Sequence, residues 1–197
     1  MKPIIGIITR DNISKSGHKI KYTYNDINNA IINSGGIPIG ILNNLDYIDI
    51  CDGFIFQGGD NIIEGDIELL KILYEKDKPV LGICLGMQEM GILFNANEVK
   101  INNHNSNSYH EVNIKKDSLL YKIIKTDKIL VNSRHKYMIY NPDTCVSGIS
   151  NDNVIECIED DNKRFFLGIQ WHPESMYNYD LNSRKIFDYF IKICNDK

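Results

Sequence analysis

Pro79-Val80-Leu81-Gly82-Ile83-Cys84-Leu85-Gly86-Met87-Gln88 is the stretch whose reading decides the fold. Val80, Leu81 and Ile83 read as a buried strand, and Met87, Met90, Gly91 and Phe94 recur at steps of three and four, the spacing of one helix face. Between the two periods stands a single thiol, Cys84, bracketed by Gly82 and Gly86. A side chain at such a strand-to-helix corner projects from a sharp turn, and the glycines permit the turn and leave room for a substrate. The free amides at the helix start favour negative charge, so they ease thiolate formation and can hold an oxyanion. The stretch alone fits a buried structural cysteine as well as a nucleophile.

A second segment breaks that tie. Phe165-Phe166-Leu167-Gly168-Ile169-Gln170-Trp171-His172-Pro173-Glu174 is another apolar strand, ending in a histidine with a carboxylate two residues on. In extended backbone those two side chains share a side, so Glu174 can lie beside the His172 ring while Pro173 stiffens the link. An acid that orients an imidazole is what a Cys/His hydrolase needs.

Outward from Cys84 toward the N-terminus, strand and helix alternate. Pro3 to Thr9 reads as a strand, Arg10 to Lys19 as a polar loop, and Tyr24, Ile27 and Ile31 as a helix ending at Gly35-Gly36. Ile37 to Leu42 and Gly53 to Gln57 are the next strands, and Ile67, Leu70, Leu73 and Tyr74 mark a further helix. Beyond Asn95, short strand-like runs follow one another at His110 to Ile114, Lys128 to Val131, Cys145 to Ser150, Asn153 to Ile158 and Arg164 to Gln170. They suggest antiparallel additions before a closing amphipathic helix around Ile186, Phe190 and Ile193. The expected architecture is one α/β domain over residues 1–197, a mostly parallel sheet covered on both faces with antiparallel additions in the C-terminal half. In such sheets ligands bind at the carboxyl ends of strands, where Cys84 and His172 both fall.

Gln57-Gly58-Gly59-Asp60 follows a strand end in the same way. Its glycines can turn backbone N–H groups toward a substrate, and the Gly59 amide with that of Leu85 would make a two-donor oxyanion hole; a tight turn is the plainer reading of the glycines alone. Val131-Asn132-Ser133-Arg134-His135 reads on its own as a surface turn. Gln88 reads either as an exposed helix residue or as an amide aimed at the substrate. His18, His104 and His110 are expected to be surface or satisfied histidines, with His18 a weaker candidate for one wall of the pocket. No spacing marks a metal site. The Asn102 to Asn107 tract is taken as loop and compositional bias, without chemistry.

Composition narrows the class. The chain has 197 residues, 43% of them apolar, and a net charge of −4, so nothing electrostatic points to nucleic acid or an anionic membrane. Its five cysteines are odd in number and irregularly spaced, which argues for a reducing compartment and against disulfide or zinc frameworks. No secretory leader is recognised and no stretch approaches about 20 apolar residues, so the expected location is cytoplasmic.

Taken together and in this order, Gly-Gly-Asp, Gly-Ile-Cys-Leu-Gly-Met-Gln, Val-Asn-Ser-x-His and Gln-Trp-His-Pro-Glu resemble the class I glutamine amidotransferase-like superfamily. The nearest branch is the γ-glutamyl hydrolases, which includes the γ-glutamyl-γ-aminobutyrate hydrolases of peptidase C26 type. Lys2 to Ile7 and Ala30 to Pro38, with Gly35-Gly36, look like that branch as well. The resemblance implies a flavodoxin-like three-layer sandwich, Cys84 as nucleophile, His172 as general base and then acid, and Glu174 as its orienting partner. It also implies an oxyanion hole from Gly59 and Leu85, γ-glutamyl recognition through Gly58, Gln88, Asn132, Ser133 and His135, and neither cofactor nor metal. Two departures stand out: the stretch after Gly-Gly-Asp is short, and Lys136 and Tyr137 replace the usual second histidine and glutamine. Both fall on the side expected to hold the leaving amine.

The implied reaction is hydrolysis of a small γ-glutamyl amide through a thioester on Cys84. The alternative is a glutaminase subunit delivering ammonia to a partner synthase, which would be slow alone. A non-catalytic binding protein of the same fold is a third reading, disfavoured because Cys84, His172 and Glu174 have no joint structural need. Sequence leaves the amine unnamed, and a homodimer is left open.

Overall fold

The computed structural model describes residues 1–42, 44–102, 104–105 and 108–196. The chain opens with β1 (Ile4–Ile8), β2 (Arg10–Ile13), β3 (Lys19–Tyr22), α1 (Asn25–Asn33), β4 (Ile37–Ile41), β5 (Gly53–Phe56), α2 (Glu64–Glu75), β6 (Val80–Ile83) and α3 (Leu85–Leu93). It continues through β7 (Asn97–Lys100), β8 (Ser108–Ile114), α4 (Leu119–Ile124), β9 (Lys128–Ser133), β10 (Tyr137–Tyr140), β11 (Cys145–Ser150), β12 (Ile155–Glu159), β13 (Phe166–Ile169), α5 (Pro173–Met176) and α6 (Leu181–Asn195). Nine strands form one sheet in the order β4-β1-β5-β6-β13-β12-β11-β8-β9. The first five run parallel, and from β12 onward the pairing is antiparallel. No helix among the described residues is long and apolar enough to cross a membrane.

The central strands are short continuous apolar runs, GFIF, VLGI and FLGI, with every residue buried, as strands covered on both faces must be. Their side chains alternate between two cores. Ile55, Leu81 and Leu167 enter the layer under Ile27 and Ile31 of α1 and Phe187 and Phe190 of α6. Phe54, Phe56, Val80 and Phe166 enter the layer under Leu70 and Leu73 of α2 and Met87 and Met90 of α3. The sandwich is therefore a consequence of period-two burial in strands that have no polar face.

Register sets the site. Gly82 of β6 stands opposite both Phe56 of β5 and Gly168 of β13, so these three neighbouring parallel strands end nearly level. The segments that follow them carry Gly58, Cys84 and His172.

Three sequence expectations change. Arg10 to Lys19 is not simply a polar loop, because β2 and β3 form an antiparallel ribbon whose mixed polar residues lack the alternation of a half-buried strand. Arg164 to Gln170 is not only an antiparallel addition: β13 lies parallel to β6 and antiparallel to β12, making it the seam between the two halves. The β7–β10 pair was not anticipated; it is two-stranded and peripheral, with β7 exposed throughout. The Asn102 to Asn107 tract falls partly outside the described residues, at Asn103, Ser106 and Asn107.

Arg10 anchors the ribbon. Its guanidinium is buried against Asp66 of α2 and Glu89 of α3 and donates to the Gln57 carbonyl at 2.6 Å and the Gly58 carbonyl at 3.4 Å. Gln57, also fully buried, donates to the Ile8 and Tyr22 carbonyls and accepts from the Tyr24 N–H. A buried ion pair that loses one partner leaves an uncompensated charge, at a cost of about 3–5 kcal/mol. Arg10→Met is therefore expected to unfold at distinctly lower denaturant concentration. A midpoint equal to that of the wild-type chain would contradict this role.

Candidate active site

Cys84 sits at φ 54° and ψ −105°, outside the regions open to an ordinary L-residue. Such a conformation costs of order 1–3 kcal/mol and persists only where the surroundings impose it. Here the Cys84 N–H donates to the Ile169 carbonyl of β13 at 2.8 Å, and the Cys84 carbonyl accepts from Gln88 N–H at 3.1 Å. Helix α3 begins hard against β5: a Cβ on Gly86 would stand 2.0 Å from the Phe56 carbonyl oxygen, so only glycine allows this corner. The Leu85 N–H is the first of the helix and has no helical carbonyl to serve, as orphan donors at helix starts do not.

His172 arrives from the neighbouring strand. Its Nδ1 is 2.7 Å from Glu174 Oε1, and since a carboxylate only accepts, the ring donates from Nδ1 and keeps Nε2 for another partner. Gly58 marks how near the Cys84 side chain lies. A Cβ built on it would be 3.2 Å from His172 Cε1 and 3.7 Å from Cys84 Cβ, so the ring and the cysteine side chain flank the same glycine. Burial works against a charged ring, but the Glu174 carboxylate and the Cys84 sulfur outweigh it and push the His172 imidazolium up to about 10.

These groups open on a cavity of about 260 Å³ lined by Gly58, Gly59, Asp60, Cys84, His172 and Glu174, with Tyr24, Asp26, Arg134 and Ser175 completing the wall. Arg134 donates to Ser175 Oγ at 2.7 Å and lies 3.8 Å from Glu174 Oε1. Burial and the Tyr22 hydroxyl push the Tyr24 phenol upward, so it stays protonated at the rim. The arrangement provides a sulfur, an oriented imidazole and backbone amides around one small space. That combination suits acyl transfer from an amide.

Other expected site residues lie elsewhere. Gln88 donates its amide to the Tyr137 carbonyl at 3.0 Å and to Gln170 Oε1 at 3.2 Å and does not line the cavity. Asn132 reaches the His172 backbone, accepting from its N–H at 2.8 Å and donating to its carbonyl at 3.1 Å. Ser133 is buried against the His104 carbonyl, and the His135 ring lies 3.1 Å from that of His104. His18 is exposed at the tip of the β2–β3 ribbon, and His104 is buried with its Nε2 3.0 Å from Asp152 Oδ2. Conversely, the sequence reading did not single out Arg10, Tyr24, Asp26, Arg134 or Ser175. Arg10 alone carried a signal, as a charge directly after an apolar strand.

Asn132→Ala removes both side-chain bonds to the His172 backbone and leaves the Ser175 N–H on its carbonyl. A change of that kind misplaces the imidazole without removing it, so it is expected to lower kcat about tenfold, less than the roughly 10²–10⁴-fold worth of positioned acid-base help, while leaving KM within about twofold. A rise in KM at constant kcat would instead assign Asn132 to substrate binding.

A family model for peptidase C26 matches residues 64–174. Protein NtpR of Enterococcus hirae is 28% identical, with 98% of this chain and 99% of that protein covered. The γ-glutamyl-γ-aminobutyrate hydrolase of Escherichia coli O157:H7 is 26% identical over 98% of this chain and 93% of its own. Among solved structures, the glutaminase domain of Trypanosoma brucei CTPS with bound acivicin superposes with a TM-score of 0.79, at 17% identity, covering 99% of this chain and 94% of that one. More than half of the chain, including Cys84 and the His172–Glu174 pair, lies within the matched family segment, and the protein belongs to the peptidase C26 family of the class I glutamine amidotransferase-like superfamily.

Proposed function

We propose that the protein hydrolyses a γ-glutamyl amide through a γ-glutamyl thioester on Cys84. One observation carries the reading: the Cys84 side chain and the Glu174-held His172 ring flank Gly58 in the lining of a single small cavity. Family membership supports the broader class, since its members are hydrolases and amidotransferases.

In the first half-reaction the Cys84 thiolate adds to the γ-carbonyl carbon, and the carbonyl oxygen takes the charge in front of the Gly59 and Leu85 amides. The C–N bond then breaks as His172 gives its proton to the departing amine. In the second, His172 takes a proton from water, hydroxide adds to the thioester, and the C–S bond breaks to release glutamate and restore the thiolate–imidazolium pair. The cavity falls below the roughly 300–1,000 Å³ of drug-sized sites, so it suits the glutamyl group with the amine projecting outward. Arg134 offers a partner for the substrate α-carboxylate, and Asp26 and Asp60 offer partners for its α-ammonium.

The glutaminase-subunit reading keeps the same residues, and the likeness to a solved glutaminase domain keeps it in view. The two part on autonomy. Purified protein alone, assayed for glutamate release from a panel of γ-glutamyl amides that includes glutamine, is expected to turn over at least one conjugate rapidly and glutamine poorly. Slow turnover of every amide, or of glutamine alone, would favour the glutaminase reading.

A further inference from the structure

Away from the cavity, two histidines turn ring nitrogens toward one buried carboxylate. His104 precedes β8, His135 lies two residues beyond β9, and Glu156 belongs to β12; all three are buried, Glu156 completely. The outer nitrogen of each ring fixes its tautomer. His135 Nδ1 is 2.9 Å from the Tyr137 carbonyl, and His104 Nε2 is 3.0 Å from Asp152 Oδ2. Both partners only accept, so each ring carries its hydrogen outside and turns a lone pair inward. Ser133 gives its hydroxyl hydrogen to the His104 carbonyl at 2.7 Å, the shorter of its two contacts, and so does not cap His104 Nδ1 at 3.2 Å.

The inward lone pairs face one another. His104 Nδ1 and His135 Nε2 are 3.1 Å apart, and each is 3.6 Å from Glu156 Oε1. Neither Glu156 oxygen meets a donor in hydrogen-bonding geometry among the described residues, although His110 Nε2 stands 3.0 Å from Oε1. Three acceptors converging in a dry site repel one another unless a cation lies between them. The spacing fits one. Ligand atoms around a tetrahedral zinc, with bonds of about 2.0–2.1 Å, stand about 3.3 Å apart, so these three atoms outline one face of such a tetrahedron. The outer contacts match as well: metal-bound histidines commonly give their second N–H to a carboxylate or a backbone carbonyl.

We propose that His104, His135 and Glu156 form a binding site for a divalent, zinc-like cation, with the fourth position beside His110 and Ser133. The ligands join the β8 approach, the end of β9 and the start of β12. Asn132, which holds the His172 backbone, is in β9 directly before Ser133. The metal thus braces the antiparallel half beneath the catalytic segment and takes no part in the reaction. Asp152, with its side chain 59% exposed, buttresses the outer nitrogen of the His104 ring.

The test uses chelator-treated Cys84→Ala protein, so that the active-site thiol does not compete. Titration with Co²⁺ is expected to give the intense visible absorption of tetrahedral cobalt, saturating at one equivalent, without thiolate charge-transfer bands and displaced by Zn²⁺. Adding His104→Ala is expected to abolish that spectrum. Adding Asp152→Asn, at an exposed position that leaves the fold intact, is expected to weaken Zn²⁺ binding about 10- to 100-fold. If the His104→Ala protein does not fold, Asp152→Asn decides alone. No tetrahedral spectrum, or unchanged affinity in the variants, overturns the site and leaves a shared proton between the rings.

Discussion

Replacing Cys84 with alanine is expected to lower kcat/KM on a γ-glutamyl amide by about 10⁴- to 10⁶-fold, the range seen when the nucleophile of a catalytic triad is removed. The size follows from the mechanism. Without the sulfur no thioester forms, and the remaining donors only polarise an amide that water must attack directly. Affinity is expected to persist, because Gly58, Gly59, Arg134 and the two aspartates still line the cavity. Binding of the uncleaved amide, measured by calorimetry, should therefore stay within severalfold of the wild-type KM. Folding should persist too, since the bonds that impose φ 54° on residue 84 are made by its backbone. Cys84→Ala protein that retained turnover within tenfold of wild type would remove the nucleophile from the account.

Glu174→Gln comes second, with an expected loss of about 10²- to 10⁴-fold in kcat. The glutamine occupies nearly the same space but carries no charge, and its NH₂ can face Nδ1 and select the wrong tautomer. A signature in pH accompanies the loss. His172 is held well above its ordinary value, so its charged form is favoured in the folded protein. A group raised in this way adds stability that is complete below its unfolded value of about 6.5 and disappears as pH rises through about 10. Activity that needs the imidazolium as proton donor should likewise persist to alkaline pH and fall near 10. In Glu174→Gln the main support of the charge is gone, so the alkaline limb is expected to move toward neutrality by more than one pH unit. An equally slow variant with an unmoved limb would mean that Glu174 acts through packing rather than charge.

What could be read in the residues follows from what each local signal depends on. The strands around Val80 to Ile83 and Phe166 to Ile169 were legible because burial on both faces leaves no polar residue to blur them. Cys84 and His172 were legible because each ends such a run abruptly. Arg10 to Tyr22 was opaque since an exposed two-stranded ribbon needs no apolar alternation, and what fixes it, Gln57 and the Arg10 ion pairs, lies far away in sequence. Gln88 and Asn132 show a second limit. An amide near a site looks the same in sequence whether it meets a ligand or a backbone, and here both meet backbone. The histidine cluster is the extreme case. His104, His135 and Glu156 come from three separate elements, and no spacing along the chain reveals that their rings and carboxylate meet.

The central claim is that a γ-glutamyl group passes through the sulfur of residue 84, and acid quenching during turnover tests it most directly. Wild-type protein stopped in the steady state with a turned-over γ-glutamyl amide, digested and analysed by mass spectrometry, is expected to carry a γ-glutamyl thioester on the peptide containing Cys84. The adduct should be labile to hydroxylamine and absent from Cys84→Ala protein. An unmodified Cys84 peptide from protein that is rapidly releasing glutamate, or an adduct on another residue, would contradict the account.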